Sequence, residues 1–162
     1  MGYINQNLLP GEEVKYRAKL HWIIYFGPVV LGLLGLIFLL SSAGNRSSPD
    51  PRAAGMLMVI GVVLLILAAL LFLSRWIRVK TSEFGVTNKR VIIKVGLIQR
   101  HTLELLLAQV ETIGVDQGIM GRILGYGKIV VVGTGGTNEP FSRIARPLEF
   151  RRQVEIQALA KT

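Results

Sequence analysis

The segment from Gly118 to Gly136, GIMGRILGYGKIVVVGTGG, carries seven glycines and two basic residues in nineteen positions. Loops of this kind can hold a phosphate, because backbone N–H groups unencumbered by side chains converge on its oxygens. The spacing fails the requirement. A P-loop, G-x-x-x-x-G-K-[ST], ending at Gly127-Lys128 needs glycine at 122 and a hydroxyl at 129, where the chain has Arg122 and Ile129. A dinucleotide fingerprint, G-x-G-x-x-G, begun at Gly125 and Gly127 needs a third glycine at 130, which is valine. After Lys128 comes a β-branched run, so the next element is a strand and no helix N-terminus is offered to an anion. Thr134-Gly135-Gly136 leads into Asn138-Glu139-Pro140, another turn. The glycines are read as turn positions, where positive φ or a close backbone approach is required.

The remaining chemistry-bearing residues are few. There is no cysteine, which removes disulfides, thiolate catalysis and thiolate metal sites together. The two histidines, His21 and His101, have no carboxylate or cysteine at metal or triad spacing. Glu104 and Glu111 read as polar positions on half-exposed strands, and the Ser and Thr residues form no nucleophile motif. No enzyme, metal site or cofactor is expected.

Charge points elsewhere. The formal net charge is +9, and +7 of it falls in residues 74–162, where 14 Lys and Arg face 7 Asp and Glu. No basic–aromatic interleaving or helical recognition stripe accompanies it, so nucleic acid is not the expected partner. Anionic lipid headgroups are the alternative acidic neighbour. Arg75, Arg78 and Lys80, and the turn residues Lys89 and Arg90, are the candidate contacts to lipid or to a partner protein.

The elements that must place these residues begin with two apolar runs. Ile23–Leu40 and Met56–Leu73 hold no charged residue, and each has 18 residues. At helical rise that is about 27 Å, close to the bilayer hydrocarbon thickness. Neither run has a polar face, and the 89 residues that follow the second run cannot enclose two such helices. The first run is longer than the apolar core of a signal peptide, and its charged 22-residue leader is too long for one. The organisation expected is an N-terminal cytoplasmic segment 1–22, membrane helices 23–40 and 56–74, an external loop 41–55 and a cytoplasmic domain 75–162. Lys15, Arg17 and Lys19 before the first span, and Arg75, Arg78 and Lys80 after the second, outnumber the two arginines of the loop. Both termini are therefore placed in the cytoplasm, and Trp22, Tyr25 and Trp76 become interface anchors on that side. Gly27, Gly32 and Gly35 lie in the first span without G-x-x-x-G spacing, so they specify no dimer face. With no ionisable residue inside either span, a proton relay or ion path is not expected.

Beyond Arg78 the pattern turns to short β-rich runs. Thr87–Arg90 reads as a hairpin turn, QVETIGVDQ, KIVVVGTG and EPFSRIAR as strands, and the stretch from Pro147 as an amphipathic helix with Phe150, Val154 and Ala158 on one face. Upstream, GEEVKYRAKL alternates like a strand that could join the domain's edge or lie along the surface.

These residues carry a resemblance. SEFGVTNKRVIIKVGLIQR, QVETIGVDQGIMGRILGYGKIVVVGTGG and IARPLEFRRQV resemble the bacterial pleckstrin-homology-like (PH-like) family of membrane-anchored proteins. The family's T-[DN]-[KR]-R hairpin falls on Thr87–Arg90, its GxxGRxxGYGxxxV turn on Gly118–Val131, and its Pro-x-x-[FY] helix start on Pro147–Phe150. The turn-defining residues are Gly121, Arg122, Gly125, Tyr126 and Gly127. The resemblance implies a membrane helical hairpin followed by a β-rich PH-like domain, a bent antiparallel sheet of about seven strands capped by a C-terminal helix. It implies no catalytic residues. The expected role is a non-enzymatic interaction module of the bacterial inner membrane, an accessory or scaffold subunit bound to other membrane subunits or to itself. Binding of anionic headgroups is the alternative.

Overall fold

A computed structural model describes residues 3–44, 51–96, 101–136 and 138–160. The chain forms two compact units, Trp22–Ile77, and Met1–His21 together with Arg78–Thr162.

The first unit is a pair of helices. A 3-10 turn, Trp22–Tyr25, leads into α2 (Phe26–Gly44), and α3 runs Pro51–Thr81, its last turns continuing into the second unit. A four-residue helix, α1 (Tyr3–Gln6), precedes both. On α2 the buried positions Pro28, Gly35 and Ser42 recur every seven residues, and on α3 so do Gly61 and Ala68. That period keeps one stripe of each helix facing the other. A Cβ on Gly61 would lie 2.9 Å from the Gly35 carbonyl oxygen, and one on Gly35 would lie 3.1 Å from that of Gly61, so the backbones touch where neither helix has a side chain. The Ser42 hydroxyl donates to the Ala54 carbonyl at 2.8 Å, and the Tyr25 and Phe72 rings pack with centroids 5.1 Å apart. Gly35 thus serves contact inside the hairpin, a use that seven-residue spacing reveals and a search for G-x-x-x-G does not.

The second unit holds seven strands among the described residues: β1 (Val14–Ala18), β2 (Glu83–Thr87), β3 (Arg90–Val95), β4 (His101–Leu106), β5 (Val110–Asp116), β6 (Tyr126–Gly133) and β7 (Asn138–Ala145). They form two antiparallel sheets, β1-β2-β3-β4 and β5-β6-β7, where the resemblance implies one bent sheet. An isolated bridge, Leu20 to Ile144, ties the segment after β1 to β7 and draws the sheets together at one corner. Alternation decides which faces are buried. Phe84, Val86, Val91, Ile93, Ile129 and Val131 point between the sheets, and Phe84 meets Phe141 edge-on at 5.9 Å. Helix α5 (Pro147–Leu159) closes the core with Phe150 and Val154, and its outer face carries the Arg151–Glu155 pair at 2.7 Å. A short helix, α4 (Ile119–Leu124), interrupts the glycine segment between β5 and β6, where the sequence pattern indicates only a turn.

The N-terminal residues fold with this unit. β1 pairs with β2, Ala18 opposite Phe84, so the alternating GEEVKYRAKL does form an edge strand. Ile4 of α1 is buried against the outer face of the same sheet, over Gly85, where a Cβ would come 2.7 Å from the Ile4 side chain. The Glu83 carboxylate accepts from the backbone N–H groups of Tyr3 and Ile4 at 2.8 and 3.1 Å and caps α1.

Candidate interaction surfaces

The turn Thr87–Arg90 connects β2 to β3, as its residues suggest, and both of its half-buried cations bond to the N-terminal segment. Thr87 is fully buried; its hydroxyl accepts from the backbone N–H groups of Lys89 and Arg90 at 3.1 and 2.9 Å and donates to Glu12 Oε1 at 2.7 Å. Arg90 grips the same carboxylate with two donors, Nε to Oε1 at 3.0 Å and Nη2 to Oε2 at 3.1 Å. Its remaining donors go to Glu104 and to the Asn7 carbonyl. Lys89 Nζ donates to the Pro10 carbonyl at 2.7 Å, and Asn88 donates to the Gly11 carbonyl and accepts from the Glu13 N–H. The whole turn is a clasp on residues 7–13.

Glu12 is the centre of this clasp. Burial pushes its carboxyl up, but the hydrogen bonds from Arg90, the Leu9 N–H and Thr87, with the charge of Arg90, together outweigh burial and hold it below the usual carboxylate range. Hydrogen bonding to Glu12 raises Arg90 against the opposing effect of burial. The sequence marks Lys89 and Arg90 as lipid or partner contacts; the structure turns both side chains onto the N-terminal segment. Nothing local in the sequence signals this, because Glu12 lies 78 positions from Arg90.

The second turn behaves differently. Gly121 sits in α4, where a Cβ would lie 2.6 Å from the Tyr126 carbonyl oxygen. Gly125 ends α4 at φ 76°, which an L side chain adopts only with strain. At Gly127 a Cβ would meet Gln117, the Asp116 carbonyl and Pro147 at 2.8–2.9 Å. Gln117 Nε2 donates to the Tyr126 carbonyl at 3.0 Å, and the Gly125 carbonyl accepts from Arg146 N–H at 2.9 Å, fixing the turn to the start of α5. Gly121 and Gly127 are therefore where backbones and a proline crowd together, and Gly125 is where the chain takes a positive φ. Arg122 points outward, exposed, on a helix whose Ile119, Met120 and Ile123 are also exposed.

The other expected contacts lie near the points where the chain leaves the second unit. The His21 N–H donates to the Arg143 carbonyl at 2.7 Å, and the His21 ring lies 5.3 Å from that of Tyr126. Arg78 and Lys80 are exposed on the last turns of α3, and Arg75 is half-buried. Of the aromatic residues, Trp22 and Trp76 are exposed and Tyr25 packs on Phe72. His101 pairs with Glu139 at 3.2 Å, a partner from β7 that spacing does not indicate. No group of three or more His, Asp or Glu residues is placed to hold a metal ion among the described residues.

The model of the bacterial PH domain family matches residues 28–159. The chain belongs to the bacterial PH domain family. That match covers α2, α3 and every element from β2 to α5, so the apolar helices lie inside the family's own boundaries. β1 and the clasped residues 7–13 fall before the matched segment, although β1 forms the edge of the four-stranded sheet. Comparisons with curated proteins and with solved structures find no match. No enzyme family is indicated, and PH domains are in general interaction modules rather than catalysts.

Proposed function

We propose that this bacterial PH domain protein is a non-enzymatic, membrane-anchored interaction module. Its two helices cross the bacterial inner membrane, the 41–55 loop is external, and both termini and the domain are cytoplasmic. It serves as an accessory or scaffold subunit of a larger membrane assembly. The observation that carries this reading is the contrast within the hairpin. The two helices touch along one narrow stripe of small residues, and their most apolar windows, of mean hydropathy 2.6 and 3.2, are only 17% and 11% buried. A core helix would be covered by protein; these leave Val, Leu, Ile and Phe side chains facing outward on every other side. Lipid and neighbouring helices supply that cover. The basic residues before Trp22 and after Leu73 favour cytoplasmic termini.

The inward clasp of Lys89 and Arg90 weighs against a headgroup site in that turn and so favours the subunit reading over the alternative of headgroup binding. Purification from native membranes in a gentle detergent, with mass determination and mass spectrometry, tests it. Stoichiometric partner proteins, or a defined self-assembly, are expected. A lone monomer retaining only lipid would contradict it.

A further inference from the structure

Helix α4 is apolar where a soluble surface would be polar. Ile119, Met120 and Ile123 are 81%, 60% and 72% exposed. Ile123 lies four positions after Ile119 and three after Met120, so its side chain neighbours both and the three form a single knob. The opposite side, Gly121, is buried against Tyr126, and Gln117 locks the base, so the knob is held rigidly outward rather than left over from a poor core.

Around it the charge is mainly positive. Arg122 lies on α4 itself and is exposed. Lys128 and Arg143 share an open depression with Ile119 and Met120, and Arg146 shares another with Arg122 on the far side of the helix. Two carboxylates face the same region: Asp116, 4.0 Å from Lys128, and Glu149, which is bonded to Gln153 on α5. Four cations against two anions leave a cationic collar about an apolar tip. This composition matches the interfacial layer of an anionic bilayer, where apolar side chains sit below the phosphates and cations among them.

The location agrees. Tyr126, which comes directly after α4 and Gly125, stacks on His21, and His21 is one peptide bond from Trp22, where the apolar helices begin. The Leu20–Ile144 bridge holds the neighbouring end of β7 at the same place. Helix α4 therefore adjoins the end of the domain that carries His21.

We propose that α4 is a second membrane contact of this protein, laying Ile119, Met120 and Ile123 into the surface of the anionic bilayer that holds the hairpin. The inference rests on the anchored reading above. A second point of attachment fixes which face of the domain turns away from the membrane, and hence which face a partner meets.

The chain has no cysteine, so single labelling sites are clean. The full-length protein is placed in nanodiscs of phosphatidylcholine, alone or mixed with phosphatidylglycerol, that also carry a nitroxide-labelled lipid. An environment-sensitive fluorophore is attached at Ile123→Cys or, for reference, at Gly135→Cys beyond the other end of β6, about 23 Å away along the strand. The expected result is lipid quenching at 123 and not at 135, stronger with phosphatidylglycerol and weaker as salt is raised. Adding Arg122→Glu lowers the docked-to-free ratio roughly 10-fold. A label at 123 as wet and unquenched as that at 135, in a protein held in the nanodisc, overturns this inference alone. Disulfide-linked copies of the Ile123→Cys variant, with no lipid quenching, overturn it in favour of self-association. Failure to co-elute with nanodiscs overturns the anchored reading and this inference with it.

Discussion

Two turns of the PH-like domain are built from similar residues and do opposite things. Thr87-Asn88-Lys89-Arg90 and the segment around Gly121-Arg122 both put an arginine in a tight connection between strands. In the first, Arg90 meets the buried carboxylate of Glu12 and is consumed holding the N-terminal segment to the sheet. In the second, the glycines beside Arg122 pack inward, leaving the arginine and three apolar side chains outside. A basic residue in a turn is thus no guide to a binding surface until its carboxylates have been found. The family motif contains both turns; the first is bonded to residues 7–13, and the second leaves Arg122 and three apolar side chains exposed.

The comparison can be broken most forcefully at the clasp. Arg90→Ala leaves the Glu12 carboxylate buried without its arginine, and is expected to cost about 3 kcal/mol in denaturant unfolding of the detergent-solubilised protein. It is also expected to release residues 3–13 to proteolysis. A cost near zero would mean that the clasp is incidental. The glycine turn should be next. Gly127→Ala sets a methyl against Gln117, Pro147 and a backbone carbonyl that cannot yield, and is expected to cost about 2 kcal/mol in the same measurement.

A smaller effect comes from pH. The folded-state pKa of Glu12 is depressed, so its contribution is fully present above the ordinary carboxylate value and is lost as pH falls through the depressed one. Stability measured from pH 7 downward should fall at acid pH, and Glu12→Gln should flatten part of that fall while leaving the alkaline side unchanged. The smallest effect sharpens the contrast. Arg122→Glu is expected to change stability by less than about 0.5 kcal/mol, as a solvent-facing substitution does, against the large loss at Arg90.

Much of the fold was legible because it is written in short-range pattern. The apolar runs, the β2–β3 turn, β5 to β7 and the α5 start at Pro147 all stem from periodicity and punctuation within a dozen residues. The alternation of GEEVKYRAKL marks a strand, but its partner β2 lies beyond the whole hairpin, so residues 1–22 read as a separate segment while the structure folds Met1–His21 into the domain. Helix α4 escaped because Gly118, Gly121 and Gly125 in so short a stretch speak for turns; its conformation is set by Gln117 and the Tyr126 carbonyl. The candidate surface was the least legible part. Whether a lysine or arginine is free depends on partners up to 83 positions away, as with Arg90 and Asn7. The proposed external loop lies partly at residues 45–50, outside the described residues.

The central claim is that a helical hairpin holds this domain at the cytoplasmic face of a membrane. Single cysteines introduced by Ser48→Cys, in the proposed external loop, and by Gly135→Cys, in the domain, test it directly with a membrane-impermeant maleimide. In intact spheroplasts the thiol at position 48 should label, and the thiol at position 135 should stay unlabelled until the membrane is opened. Labelling at position 135 in intact spheroplasts, or equal protection of both sites, would contradict the account.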